Sequence, residues 1–173
     1  MREARPVPTV LALALLAAAA GASALSPPAV PEVLRPPAGQ SLHLEALATG
    51  VQIYECSPKG EGFEWAFKGP EAALADRSGK ALGKHYGGPT WESTDGSAVV
   101  GEVKAKDPGP DPSAIPWLLL GAKSNKGPGT FAETKSVQRI ATKGGAAPSA
   151  PCTAAKLKEV ARVPYTATYY FYK

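Results

Sequence analysis

Turns rich in glycine, proline and aspartate cut this chain into short runs that alternate apolar with polar residues, and that punctuation favours β structure over helix. In VQIYEC, Val51 and Ile53 fall on one face and Gln52, Tyr54 and Cys56 on the other. In FEWAFK, Phe63, Trp65 and Phe67 share a face opposite Glu64 and Lys68. The intervening SPKGEG makes the two runs a hairpin. The aromatic face is expected to be core rather than a ligand-stacking platform, because an apolar stripe at period two is usually buried.

The later runs continue the pattern. ALGKHY and PTWES are short strand candidates and SAVVGEVKA a longer one. STDGS between the last two carries Asp95-Gly96, the strongest hairpin signal in the chain, with Gly96 expected at positive φ. IPWLLLGA reads as a strand buried on both faces, Ser136 to Thr142 as another, and RVPYTATYYFYK as a closing strand. PEAALADRSG suggests a helical turn from Pro70, and TAAKLKEVAR a second helical turn or an irregular segment. The expected fold is all-β: an antiparallel β-sandwich or barrel of roughly eight short strands with one or two short helical turns.

The chain divides into three parts. Residues 1–24 read as a secretory signal peptide: Arg2 and Arg5, an apolar run from Val10 to Ala20, then Ala22-Ser23-Ala24 as the cleavage site. The run is shorter than the ~18 to 20 residues a spanning helix needs. Residues 25–41 are a proline-rich extended arm, and 42–173 a single β-rich domain. A secreted or periplasmic destination follows, with no membrane span after processing. The formal charge of +4 is spread over scattered lysines, without the basic, aromatic-interleaved stripe that nucleic acid demands. Two cysteines, Cys56 and Cys152, make one disulfide the simplest pairing in an oxidising compartment; a nucleophilic cysteine is the rival reading.

QIYEC, HYGGPTWESTDGS, IPWLLL, VQRIATKGGAAP followed by Cys152, and VPYTATYYFY occur in an order that resembles the secreted family catalogued as "domain of unknown function 3455", found in bacteria and fungi. The likeness spans about Gly50 to Lys173 and implies that Cys56, His85, Gly88, Pro89, Trp91, Asp95, Gly96, Trp117, Arg139, Gly144, Gly145, Cys152, Pro164 and Tyr165 belong to the family's pattern. It supplies no catalytic assignment. A malate dehydrogenase label that members have sometimes carried does not transfer, because no Gly-x-Gly-x-x-Gly turn joins a strand to a helix here.

The residues with chemistry to offer crowd into GKHYGGPTWESTDGS: His85, Tyr86, Trp91, Glu92 and Asp95, with Arg139 as an anion contact from a later strand. His85 is the side chain of that stretch best suited to titrate near neutral pH. A triad through Ser93, Thr94 or Ser97 lacks a nucleophile elbow, and strand neighbours point to opposite faces. His43 and His85 with two paired cysteines do not make a zinc site, so no metal and no cofactor is expected. The residues favour a binding or structural envelope protein, with cell-wall polysaccharide or another envelope protein as partner. The alternative is a secreted hydrolase acting on a polysaccharide or ester, with His85 and Glu92 as acid-base groups. Convergence of His85, Trp91, Glu92 and Arg139 in one concave pocket would discriminate between them.

Overall fold

The computed structural model describes Met1 and residues 25–173, so residues 2–24 of the expected signal peptide lie outside the described residues. Eight strands follow in chain order: β1 Leu42–Lys59, β2 Gly62–Ala75, β3 Ala81–Tyr86, β4 Thr90–Ser93, β5 Ala98–Asp107, β6 Trp117–Lys126, β7 Ser136–Gly144 and β8 Val160–Tyr172. Each pairs antiparallel with the next, and β8 returns to pair with β1, so the sheet closes into an up-and-down barrel. Within the barrel, closure gives both sides of each strand a partner and removes the free edges an open sheet would expose.

Two 3-10 turns, Glu32–Leu34 and Ala154–Lys156, are the helical elements among the described residues. The second lies in TAAKLKEVAR. The helical turn expected from Pro70 is not formed, because that segment is the second half of β2. Pro70 is tolerated there by its place in the ladders. It pairs with Gln52 beside the register shift at Ile53/Tyr54, and pairing to β3 begins only at Glu71.

The inner face carries Trp91, Val99, Leu120, Phe131, Val137, Tyr169 and Phe171 against Ala46, Ala48, Ala72 and Ala167. The small side chains of β1, β2 and β8 leave room for the rings of β4 and β8. Gly101 extends this logic: a Cβ there would lie 2.9 Å from Cζ3 of Trp91 and 3.1 Å from Leu120. Leu119 and Leu120, of opposite parity on β6, are both buried, as the wholly apolar run implies. Outside the barrel, Ile140, Tyr170 and Tyr172 pack with Val30, Leu42 and Trp117. The arm is anchored on that side by fully buried Leu34, whose carbonyl accepts Gln138 Nε2 at 2.7 Å.

β1, β2 and β8, at 18, 14 and 13 residues, are longer than the short strands expected. The β1–β2 ladder continues to Lys59 and Gly62, whereas β8 leaves β1 at Glu55 and β3 leaves β2 at Glu71. A two-stranded ribbon therefore overhangs one end of the barrel. Phe63, Trp65 and Phe67 lie on it. This corrects the expectation that they form core: Phe67 is 54% exposed and Phe63 37%. On β1 the buried face is Gln52, Tyr54 and Cys56, while Val51 and Ile53 are half-buried. The Cys56–Cys152 disulfide ties the ribbon to the 145–159 connection, with 5.4 Å between the Cα atoms.

Candidate functional site

Up-and-down connectivity gathers the β3–β4, β5–β6 and β7–β8 connections at the end of the barrel that the β1–β2 ribbon overhangs. A cavity of about 190 Å³ opens there. β3 and β4 supply its floor. His85 and Trp91 are register partners, so both rings point inward, stacked at 4.4 Å with 9° between their planes. Tyr169 of β8 meets both edge-on, at 5.1 and 5.4 Å.

The His85 ring donates from Nδ1 to the Thr90 carbonyl at 2.8 Å. A carbonyl can only accept, so the neutral ring holds its proton on Nδ1 and leaves a lone pair on Nε2. Burial pushes the His85 pKa down to about 3; the bond to Thr90 opposes this and the Arg139 charge adds to it. His85 is therefore neutral at physiological pH, which corrects the expectation of a ring titrating near neutrality. Trp91 is 1% exposed, and its Nε1 has no hydrogen-bond partner among the described residues.

Arg139 reaches the same cavity from β7, on the inward parity shared with Val137. Its Nε and Nη2 donate to the Pro116 carbonyl at 3.2 and 2.8 Å. Arg139 belongs to none of the ion pairs formed among the described residues. The remaining wall is mostly apolar: Phe67, Pro70, Pro89, Val103, Leu118 and Leu120. Lys68 also lines it, paired with Glu55 at 3.3 Å.

The residues singled out in the sequence thus separate. His85, Trp91 and Arg139 come together. Tyr86 and Glu92, one residue on from His85 and Trp91, face outward, where the Tyr86 hydroxyl donates to Glu92 at 2.7 Å and Lys84 lies 3.2 Å from its other oxygen. Those two contacts, the tyrosine's first, hold the Glu92 carboxyl below its usual range. Asp95 lies in the β4–β5 turn at the opposite end of the barrel. Its two oxygens accept the backbone N–H and hydroxyl of Ser97 and the backbone N–H and hydroxyl of Thr130, which clamps the β4–β5 and β6–β7 turns together. Tyr169 and Leu118 were missed as cavity residues. The alternation of VPYTATYYFY carried a signal for Tyr169, since Tyr165, Ala167, Tyr169 and Phe171 share the inner face.

Among the described residues no group of three or more His, Cys, Asp or Glu side chains is placed to hold a metal ion, and no helix is long and apolar enough to cross a membrane. The model of the family described as "Protein of unknown function (DUF3455)" matches residues 37–173. No curated protein and no solved structure matches the chain.

Proposed function

The chain belongs to the DUF3455 family, and from that premise we propose that it is an exported binding protein that takes one small molecule into the end of its barrel. The observation that carries this reading is the convergence of His85, Trp91 and Arg139 on a single cavity of about 190 Å³. An eight-stranded barrel is just wide enough to be filled by side chains or to hold one small ligand. Here the half near Phe131 and Phe171 is filled and the ribbon end is open. A cavity near 150 Å³ holds a benzene ring, so the space suits a ligand of one ring with a short substituent. Export is supported by the Cys56–Cys152 disulfide, which oxidising compartments preserve.

The hydrolase alternative asks His85 and Glu92 to act on one bond, yet the sheet lies between them, and His85 is held neutral by burial rather than poised near neutral pH. Binding a cell-wall polymer on the ribbon would call on Phe63, Trp65 and Phe67. Trp65 is already engaged: its indole donates to the Ala150 carbonyl at 2.9 Å, and Lys156 sits 5.9 Å from the ring centroid. The cavity is the better offer.

The test is a thermal-shift screen of single-ring organic molecules, followed by tryptophan-fluorescence titration of those that stabilise the fold. A ligand at a hundred times its Kd adds about 2.7 kcal/mol of stability. The expected result is a saturable shift that Leu118→Trp, which fills the cavity, abolishes while the variant still melts cooperatively. A panel without any saturable ligand, or a shift that survives the filled cavity, would discard the reading.

A further inference from the structure

We propose that the ligand is a small organic carboxylate, seated with its acid group on Arg139 and its apolar body against Phe67, Val103, Leu118 and Leu120. This rests on the cavity being the binding site. Its argument is the imbalance of polar groups around that space. A guanidinium carries five N–H donors; in Arg139 Nε and Nη2 both go to the single carbonyl of Pro116 and the Tyr169 hydroxyl is a further neighbour, which leaves N–H groups to spare. Among the described residues lining the cavity there is no aspartate or glutamate to neutralise the charge.

Two of the other polar groups are donors as well. Trp91 lines the cavity, and its buried Nε1 finds no acceptor among the described residues. Lys68 brings a second cation to the rim, shared with Glu55. His85 is neutral and adds no charge, and its Nε2 lone pair is an acceptor that would face the ligand's body rather than its acid group. A site with spare donors, a cation held against apolar walls and no acid of its own is complementary to a planar anion that Arg can grip with two parallel bonds. The half-exposed Val103 and Phe67 at the mouth then bury against the ligand's body, a contact a bare inorganic anion would leave unmade.

Benzoate, benzamide and benzylamine share a ring and differ in the charge of the group that would meet Arg139. Calorimetric titration of the three into the oxidised protein, and into Arg139→Gln and Arg139→Lys, tests the assignment. The expected result is benzoate binding at least tenfold tighter than benzamide, with benzylamine weakest. Arg139→Gln should weaken benzoate by about ten- to hundredfold and benzamide by far less, since an amide loses a neutral hydrogen bond and no charge pair. Arg139→Lys, which keeps the charge but loses the fork, should fall between and covers the case of a poorly folded glutamine variant. Benzamide binding as tightly as benzoate, or benzoate indifferent to both substitutions, would overturn the carboxylate assignment while leaving a ligand cavity in place. If none of the three binds while a neutral single-ring molecule does, the carboxylate is again excluded. If no molecule of either panel binds, the cavity reading falls with it.

Discussion

A histidine folded into the protein as a neutral ring ties stability to pH. The His85 pKa is about 3 in the barrel against the ordinary histidine value of 6.5, with burial as the leading cause. Below about pH 6.5 the unfolded chain takes up a proton that the folded one refuses, so stability falls as pH drops from there toward about 3, by up to about 1.4 kcal/mol per pH unit. His43 is shifted in the same direction, by burial and then by Lys173, and adds to the slope. The carboxylates with lowered pKa values, such as Glu45, contribute mainly below about pH 5, which leaves the histidines to dominate between pH 6.5 and 5. Urea midpoints should decline across that window in the wild type and much less in His85→Gln; equal declines would show that another group is responsible. At this scale the sequence was half legible. Strand parity separates His85 and Trp91 from Tyr86 and Glu92, but nothing in a single run says which face is inner, and Arg139 joins them only through the closure of the sheet. Asp95 was conspicuous for its chemistry and turns out to hold loops. Asp95→Ala should therefore speed hydrogen exchange at the Thr130 amide, which donates to it at 2.8 Å, without altering ligand affinity; an unchanged Thr130 rate would remove the clamp.

Two glycines near β5 look alike in sequence and are needed for different reasons. Gly96 sits at φ 85° in the β4–β5 turn, and a Cβ there would meet nothing within 4 Å. Its constraint is wholly backbone, and Gly96→Ala should cost on the order of 1 kcal/mol. Gly101 adopts ordinary strand geometry, but its missing Cβ is the space taken by Trp91 and Leu120. Gly101→Ala overpacks the cavity floor and should cost about 1 to 3 kcal/mol. It should also shift Trp91 fluorescence, which Gly96→Ala should leave alone. Matching denaturation midpoints and spectra for the two variants would contradict this division. Asp-Gly between alternating runs made the first glycine readable, because turn chemistry is local. The second was not, because its reason lies on β4 and β6. The same distinction explains the elements read too short. Gly50 and Pro70 resemble strand breakers, yet at Gly50 the β1 and β2 backbones approach so closely that a Cβ would fall 2.1 Å from the Glu71 carbonyl oxygen, and at Pro70 the ladder to β3 has not begun.

For the molecule as a whole, alternation and turn spacing specify an antiparallel all-β fold but do not choose between a sandwich and a barrel, since both satisfy the same inward pattern. The choice appears in the long pairing of β8 with β1, from Tyr172 opposite Leu42 to Val160 opposite Glu55. That ladder closes the barrel through backbone bonds, so the disulfide is not what holds the sheet together. The bond instead governs the ribbon end. Cys152 and the Trp65–Ala150 hydrogen bond hold the 145–159 connection against the ribbon, and Cys56 exchanges backbone bonds with Lys158 and Glu159. With the two cysteines 96 positions apart, the bond restricts the unfolded chain strongly, and removing a native disulfide typically costs about 2 to 5 kcal/mol. Reduction should therefore lower Tm while the β-sheet circular dichroism at 25 °C persists. Hydrogen-exchange protection should be lost first at 145–159 and the ribbon, and last at the β1–β8 ladder. Thiol titration of denatured, unreduced protein should find no free sulfhydryl. If reduction abolished the β-sheet signal outright, closure would depend on the disulfide and the backbone ladder would be insufficient; if Tm did not move, the ribbon end would contribute nothing to the cooperative unit, and the cavity beneath it would have to be held by the barrel strands alone.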